Sequence, residues 1–369
     1  MAVVSGREGT AKKVAVGMSG GVDSSVAALL LKRQGYDVVG VTMQIWQEES
    51  PAVTGEQGGC CGFDAVEDAR RVARALDIPH YVMNFRREFR ENVMDYFVAE
   101  YLAGRTPNPC IACNRYVKWE AMLRRSLEIG ADYIATGHYA GITRLPNGRY
   151  AVCSAVTAKK DQTYALYGLT QEQLARTIMP VGAYTKEEIR QMAAQAGLFV
   201  ADKPDSQEIC FIPDNDYAAF IDREAGARVP KPGNFVTKDG KVLGRHLGIT
   251  HYTVGQRKGL NLAMGRPVFV TQIRPETDEV VIGEAEEVFE DVLYCDRVNY
   301  MGMADLKEPR EVTARIRYNH AGERCVIEKA GENRIRVVFR QPVRAITPGQ
   351  AVVFYEGGCV LGGGTIISA

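Results

Sequence analysis

The stretch VGMSGGVDSSVAALLLKRQG, beginning at Val16, sets a glycine-rich turn between an apolar run of strand type and an apolar run at helical spacing. This strand–turn–helix restricts the fold more than any other feature of the chain. A strand that feeds directly into a helix starts a unit whose next strand returns parallel, by a right-handed crossover. The turn itself offers the backbone N–H groups of Gly20, Gly21 and Val22 to an anion, and the helix adds its positive end. Ser19, Ser24 and Ser25 add hydroxyls. The pattern G-x-x-x-x-G-K-[ST] is absent, so the lysine of a Walker loop is missing. A loop of this kind is predicted to grip a pyrophosphate while the α-phosphate of ATP reacts, with Asp23 placed to help hold Mg²⁺.

The alternation continues downstream. YDVVGVTMQIW and PHYVMNF read as strands, with an amphipathic helix from Phe63 to Leu76 between them. Helical spacing returns over Glu91–Leu102 and Lys118–Ile129, and ADYIATGHY reads as a strand running into a glycine turn. Strands alternating with helices predict a parallel α/β sheet, with ligands at the C-terminal ends of the strands. Met18–Ser24, Met43–Trp46 and Thr136–Tyr139 all follow strands and should converge on one crevice. Thr185, with Glu188 three residues on, predicts a capping box for a helix that Gly197 ends. Beyond about Asp214 the texture turns to Gly, Thr and Val, with KDGK as a hairpin turn. From Phe289 onward short alternating strands recur, as in a small β-barrel. The chain of 369 residues thus divides into an α/β domain over 1–214, a small central domain over 215–288 and a β-barrel over 289–369.

The 45 Lys and Arg balance the 45 Asp and Glu, so only local patches speak about partners. One such patch, 310–344, holds nine Lys and Arg against four Glu, and Arg315 and Arg317 are its expected phosphate contacts. Tyr116, Trp119 and Tyr318 are candidates for stacking on a splayed base, with core packing the equal alternative. No signal peptide or membrane-length apolar run is read, so a cytoplasmic protein is expected. Of nine cysteines, Cys60 and Cys61 lie in a glycine-rich stretch and read as incidental thiols. Cys153, Cys295, Cys325 and Cys359 lie in strand-like runs and read as small buried apolar residues. Cys113 in GRTPNPCIACNRYVKW and Cys210 in DSQEICFIP sit in polar, proline-punctuated segments. Arg105, Arg115 and Lys118 near Cys113 would favour its thiolate. An adenylating loop with two reactive thiols points to exchange of C=O for C=S.

GMSGGVDSS, GRTPNPCIACNRYVKW, ADYIATGHYA, KKDQTYAL, DSQEICFI, HYTVGQRKGL and RIRYNH occur in one order from about Val14 to near the C-terminus. Together they resemble the tRNA-specific 2-thiouridylase (MnmA/TrmU) family. The resemblance implies an ATP pyrophosphatase domain of the adenine nucleotide alpha hydrolase type, a small central domain and a C-terminal barrel. It implies thiolation of C2 of the wobble uridine of tRNA, using ATP and a persulfide supplied by a cysteine desulfurase or sulfur relay protein. By position, Gly17, Met18, Ser19, Gly20, Gly21, Val22, Asp23 and Ser24 match the ATP loop, and Met43 and Gly137 lie along the nucleotide. Cys113 matches the first catalytic cysteine and Cys210 the persulfide carrier, with a Cys113–Cys210 disulfide left after transfer. Asn108, Pro109 and Cys110 match the loop that receives the base. His138, Lys160, Asp161, Gln162, Arg317, Tyr318 and Gln350 match tRNA contacts. Cys110 departs from the Asp that many members carry, which leaves the acid/base step without a residue.

Two alternatives stay open at this level. One is an amide-forming ATP pyrophosphatase related to NAD or GMP synthetase, for which the two cysteines would be idle. The other gathers Cys110, Cys113 and Cys210 around a [4Fe–4S] cluster, as an RNA-binding module or as a different sulfur carrier.

Overall fold

A computed structural model describes residues 11–45, 63–204 and 209–368. Cys60, Cys61 and Trp46 lie outside them. Lys13–Gly17 (β1) pairs in parallel with Asp37–Gln44 (β2) on one side and Tyr133–Ala135 (β4) on the other. His80–Asn84 (β3) and Thr177–Ile178 (β7) extend the sheet to the order β3-β2-β1-β4-β7. The order reverses between β1 and β4, which is where open parallel sheets form their ligand crevice. The loop after β1 therefore stands at the switch point. Helix α1 (Val22–Arg33) is apolar nearly all round, as a helix covered on two sides must be. It packs between the sheet and the helix Lys186–Gln195, sharing one core with Ile189 and Ala193. Thr185 and Glu188 form the predicted capping box of that second helix.

Two smaller bodies follow. Asn234–Val236 (β8), Val242–Arg245 (β9), Phe269–Arg274 (β10) and Glu279–Gly283 (β11) make a four-stranded sheet around Phe235, Val270 and Val280. The KDGK turn joins β8 to β9, with Gly240 at φ +85°. Phe289–Tyr300 (β12), Arg310–Arg315 (β13), Glu323–Lys329 (β14), Ile335–Arg344 (β15), Ala351–Glu356 (β16) and Cys359–Ser368 (β17) form the barrel, closed by pairing of β12 with β17.

The sequence places no part of residues 140–154 with that barrel. The hairpin Ala140–Arg144 (β5) and Tyr150–Ser154 (β6) nevertheless adds to its sheet through β17. The pairing is Cys153 with Cys359, and a disulfide joins them. These two cysteines are therefore a cross-link rather than simple apolar filling; Cys295 and Cys325 are buried thiols as expected. No helix among the described residues is long and apolar enough to cross a membrane.

Candidate active site

The loop is shaped by close approaches that only glycine permits. Gly20 has φ +70°, and a Cβ there would lie 2.4 Å from the carbonyl oxygen of Ala65 on helix α2 (Phe63–Ala75). Gly21 is the N-cap of α1 and brings no side chain to its first turn. Gly137 lies against the start of α1, where a Cβ would fall 2.6 Å from Ser24 N. Gly17 faces Met122. Met18 N–H donates to Val41 O at 2.8 Å, and Thr42 Oγ1 donates to Met18 O while meeting His80 Nε2, both at 2.8 Å. Met43 continues β2 beside Met83. The three segments expected to converge do so as far as they are described.

The serines and Asp23 are used differently from the expectation. Ser25 is fully buried and donates to Gly21 O at 2.8 Å. Ser24 is nearly so; its Oγ donates to Gly21 O and accepts from Ser19 N. These hydroxyls hold the turn instead of facing outward. The Asp23 carboxylate accepts Lys186 Nζ at 2.7 and 2.8 Å and Tyr139 O–H at 2.7 Å. It is thus an ion-pair partner rather than an open metal ligand. Lys203 Nζ donates to Gly20 O at 3.1 Å and to Asp68 at 2.7 Å. Sequence spacing could not reveal either lysine: they lie 163 and 183 positions from their partners in the loop.

Cys113 lies on a helix. Asn108 is the N-cap, its Oδ1 accepting from Cys110 N and Ile111 N, and Pro109 takes the first helical position. The chain then runs through Pro109–Ala112, a π-helical stretch Cys113–Met122, and Leu123–Glu128. The predicted start at Lys118 is therefore nine residues late. Cys110 is exposed and Cys113 half-buried. Of the flanking cations, Arg105 is clamped by Glu100 through two 2.7 Å bonds, and Lys118 donates to Asn114. Cys210 packs against the same core as Cys113, anchored by Phe211, whose ring meets Phe89, Phe97 and Phe220. Both are thiols here. Among the described residues no three His, Cys, Asp or Glu side chains gather as a metal site. Cys110, Cys113 and Cys210 are not brought together as such a group among them.

Several tRNA candidates also serve the fold. His138 is half-buried, 5.4 Å from the fully buried Trp119 and joined through Nδ1 to Thr136 Oγ1. Burial and the neighbouring Lys118 hold its pKa well below the usual value, so it stands neutral. Trp119 donates to Thr177 at 2.8 Å and is core, not a stacking platform. Gln162 Oε1 accepts Tyr139 N–H at 2.8 Å. Asp161 is buried, accepting from Thr163 and from Arg315 at 3.5 Å. Arg315 also donates to His320 O and Tyr318 O, so it organises its loop rather than presenting a charge. Arg317 donates to Arg344 O. Tyr318 is 37% exposed, edge-on to Tyr164. Lys160 is partly exposed beside them. Gln350 donates to Thr106 O and Pro107 O, next to Asn108. The basic patch is thinner than its sequence: Arg310 pairs with Glu356, Arg336 with Glu328, Lys329 with Asp305, and Arg324 and Arg340 with Glu311.

Three family models match the chain: a tRNA methyl transferase HUP domain over residues 12–214, a tRNA methyl transferase PRC-barrel domain over 219–284 and an aminomethyltransferase β-barrel domain over 290–366. The chain is 65% identical over 96% of its length, and 99% of the relative's, to a tRNA-specific 2-thiouridylase MnmA of Lachnoclostridium phytofermentans. It is 56% identical to proteins of the same name from Carboxydothermus hydrogenoformans, over 96% of this chain and 97% of that one, and Clostridium perfringens, over 97% and 99%. At that identity over nearly the whole of each chain, this chain belongs to the tRNA-specific 2-thiouridylase family.

Proposed function

We propose that the protein is a tRNA-uridine 2-sulfurtransferase that replaces the C2 oxygen of the wobble uridine with sulfur at the expense of ATP. The observation that carries this reading is the meeting of a glycine anion loop, at the switch point of a parallel sheet, with a domain that seats Cys113 and Cys210 on one core. ATP, as its magnesium complex, binds along Gly17–Ser24, Met43 and Gly137. The uridine O2 attacks the α-phosphate, the bond to the β-phosphate breaks, and pyrophosphate leaves. The terminal sulfur of a Cys210 persulfide then attacks C2, and the C2–O bond breaks with AMP as leaving group. The Cys113 thiolate attacks Cys210 Sγ, freeing 2-thiouridine and leaving a Cys113–Cys210 disulfide. An external dithiol reduces it, and a persulfide-carrying protein (a desulfurase or relay protein) reloads Cys210. The tRNA lies over Asn108–Cys110, His138, Lys160–Gln162, Arg317, Tyr318 and Gln350. With its tRNA substrate the protein works in the cytoplasm, as three units divided near residues 214 and 288.

The test is incubation of tRNA, ATP, Mg²⁺ and a persulfide donor with the enzyme, followed by nucleoside mass analysis. Wobble 2-thiouridine, AMP and pyrophosphate are expected together. Cys113→Ser and Cys210→Ser should each stop thiolation, and Cys110→Ser should keep substantial activity. Full thiolation by Cys210→Ser would overturn the persulfide route.

A further inference from the structure

A phosphate loop that carries a carboxylate in the first turn of its helix repels the anion it is built to hold. A backbone carbonyl at the same loop does so again, more weakly. Both groups are present here, Asp23 and Gly20 O, and each is covered by an ammonium group from outside the loop. Lys186 leads the helix Lys186–Gln195, fixed by the Thr185 capping box, and is only 8% exposed. Lys203 spans from Asp68 on α2 to Gly20. Neither arrangement is a surface ion pair of long flexible chains. Lys186 is placed by a capped helix, and Asp68 belongs to the same helix that touches Gly20 through Ala65.

We infer that Lys186 and Lys203 are the phosphate-binding cations of this loop, doing together what a Walker lysine does alone. Lys186 neutralises Asp23 so that an anion can enter, and its ammonium lies at the positive end of α1, where phosphate oxygens would gather. Lys203 caps the opposite side, over Gly20 O. When ATP binds, the two ammonium groups keep one carboxylate contact each and add a phosphate oxygen. After the α–β bond breaks, they hold the pyrophosphate. Lys203 stands seven positions before Cys210 in the chain. The lysine that grips the phosphates is therefore on the sulfur-bearing segment itself.

The inference rests on the ATP pyrophosphatase reading, and the test separates the two. Binding of inorganic pyrophosphate and of AMP is measured by calorimetry for the full-length protein and for Lys186→Gln, Lys203→Gln and the two Arg variants. Each Gln variant should bind pyrophosphate at least about tenfold more weakly, as expected for one lost charged hydrogen bond, while AMP binding stays near native. The Arg variants, which keep the charge, should retain most pyrophosphate affinity. Native pyrophosphate affinity in both Gln variants would overturn the inference. So would equal loss of AMP and pyrophosphate in Gln and Arg variants alike, which marks a purely structural role. Failure of the unaltered enzyme to make AMP from ATP with tRNA would instead sink the underlying reading.

Discussion

His80, His138, His246 and His320 each sit where burial disfavours the imidazolium. Arg70 adds to this at His80, Lys118 at His138, Arg245 at His246, and Arg317 with Arg315 at His320; Glu67, Asp278 and Glu323 oppose it only in part. The folded-state pKa of each is below the unfolded value of 6.5. Below that pH the unfolded chain binds more protons than the folded one, so acid favours unfolding. Stability is predicted to be flat between about pH 7 and pH 8 and to fall from about pH 6.5 toward pH 5, each histidine contributing at most about 1.4 kcal/mol per pH unit and the half-exposed ones less. Urea midpoints across that range check it, and a midpoint that rises on acidification contradicts it. At this scale the sequence supplied the chemistry of the loop but not its cations. Glycines that must approach a neighbour closely announce themselves by residue type. Lys186 and Lys203 do not, because nothing local distinguishes a lysine that returns to a loop from one that faces solvent.

The elements were legible where one period holds throughout. The β1–α1 unit and the capped helix at Thr185 lie within a residue of where the apolar spacing and the caps put them. The helix bearing Cys113 was only half legible. Pro109 behind Asn108 is a helix-start signal in plain view, but TPNPC reads first as a loop. The π-helical stretch Cys113–Met122 then breaks the 3.6-residue period on which detection depends. A consequence follows for Asn108. Its carboxamide is spent on Cys110 N and Ile111 N, so its first duty is to hold the helix start that aims Cys113. Asn108→Ala is predicted to cost about 1 kcal/mol of stability and to slow thiolation, while Asn108→Ser, which still caps, keeps most of both. Thermal unfolding and single-turnover thiolation measure the two effects. Equal loss of turnover in the Ser and Ala variants would instead give the carboxamide a direct contact with the base.

No single domain builds the loop that precedes Asn108. Gly104, at φ +67°, packs where a Cβ would meet Pro275 and Ile273 of the central sheet, and Thr106 Oγ1 donates to Thr253. Thr106 N–H donates to Pro348 O at 2.8 Å, and Gln350 closes on Thr106 O and Pro107 O from the barrel. The barrel thus has a part beyond the tRNA surface proposed for it. It fixes the backbone that leads into the cysteine helix, and this could not be read from a sequence in which the partners lie more than 240 positions apart. Gly349 meets the loop's backbone itself: at φ +91°, a Cβ on it would stand 2.9 Å from Thr106 N and 3.0 Å from Thr106 C. Gly349→Ala therefore adds left-handed strain of about 1–2 kcal/mol and must push the 105–107 backbone aside. The glycine loop, built on β1, α1 and the helix at Lys186, shares none of these contacts among the described residues. The variant is predicted to bind ATP as the native protein does, to bind tRNA within about threefold, and to lose about tenfold or more in thiolation rate, because a small misplacement of reacting groups is that costly. Arg317→Ala should show the opposite division, with weaker tRNA binding and a nearly native rate at saturation. Measured kcat and KM for both variants decide the matter: a native kcat in Gly349→Ala would mean that the barrel holds the tRNA without positioning the cysteine helix.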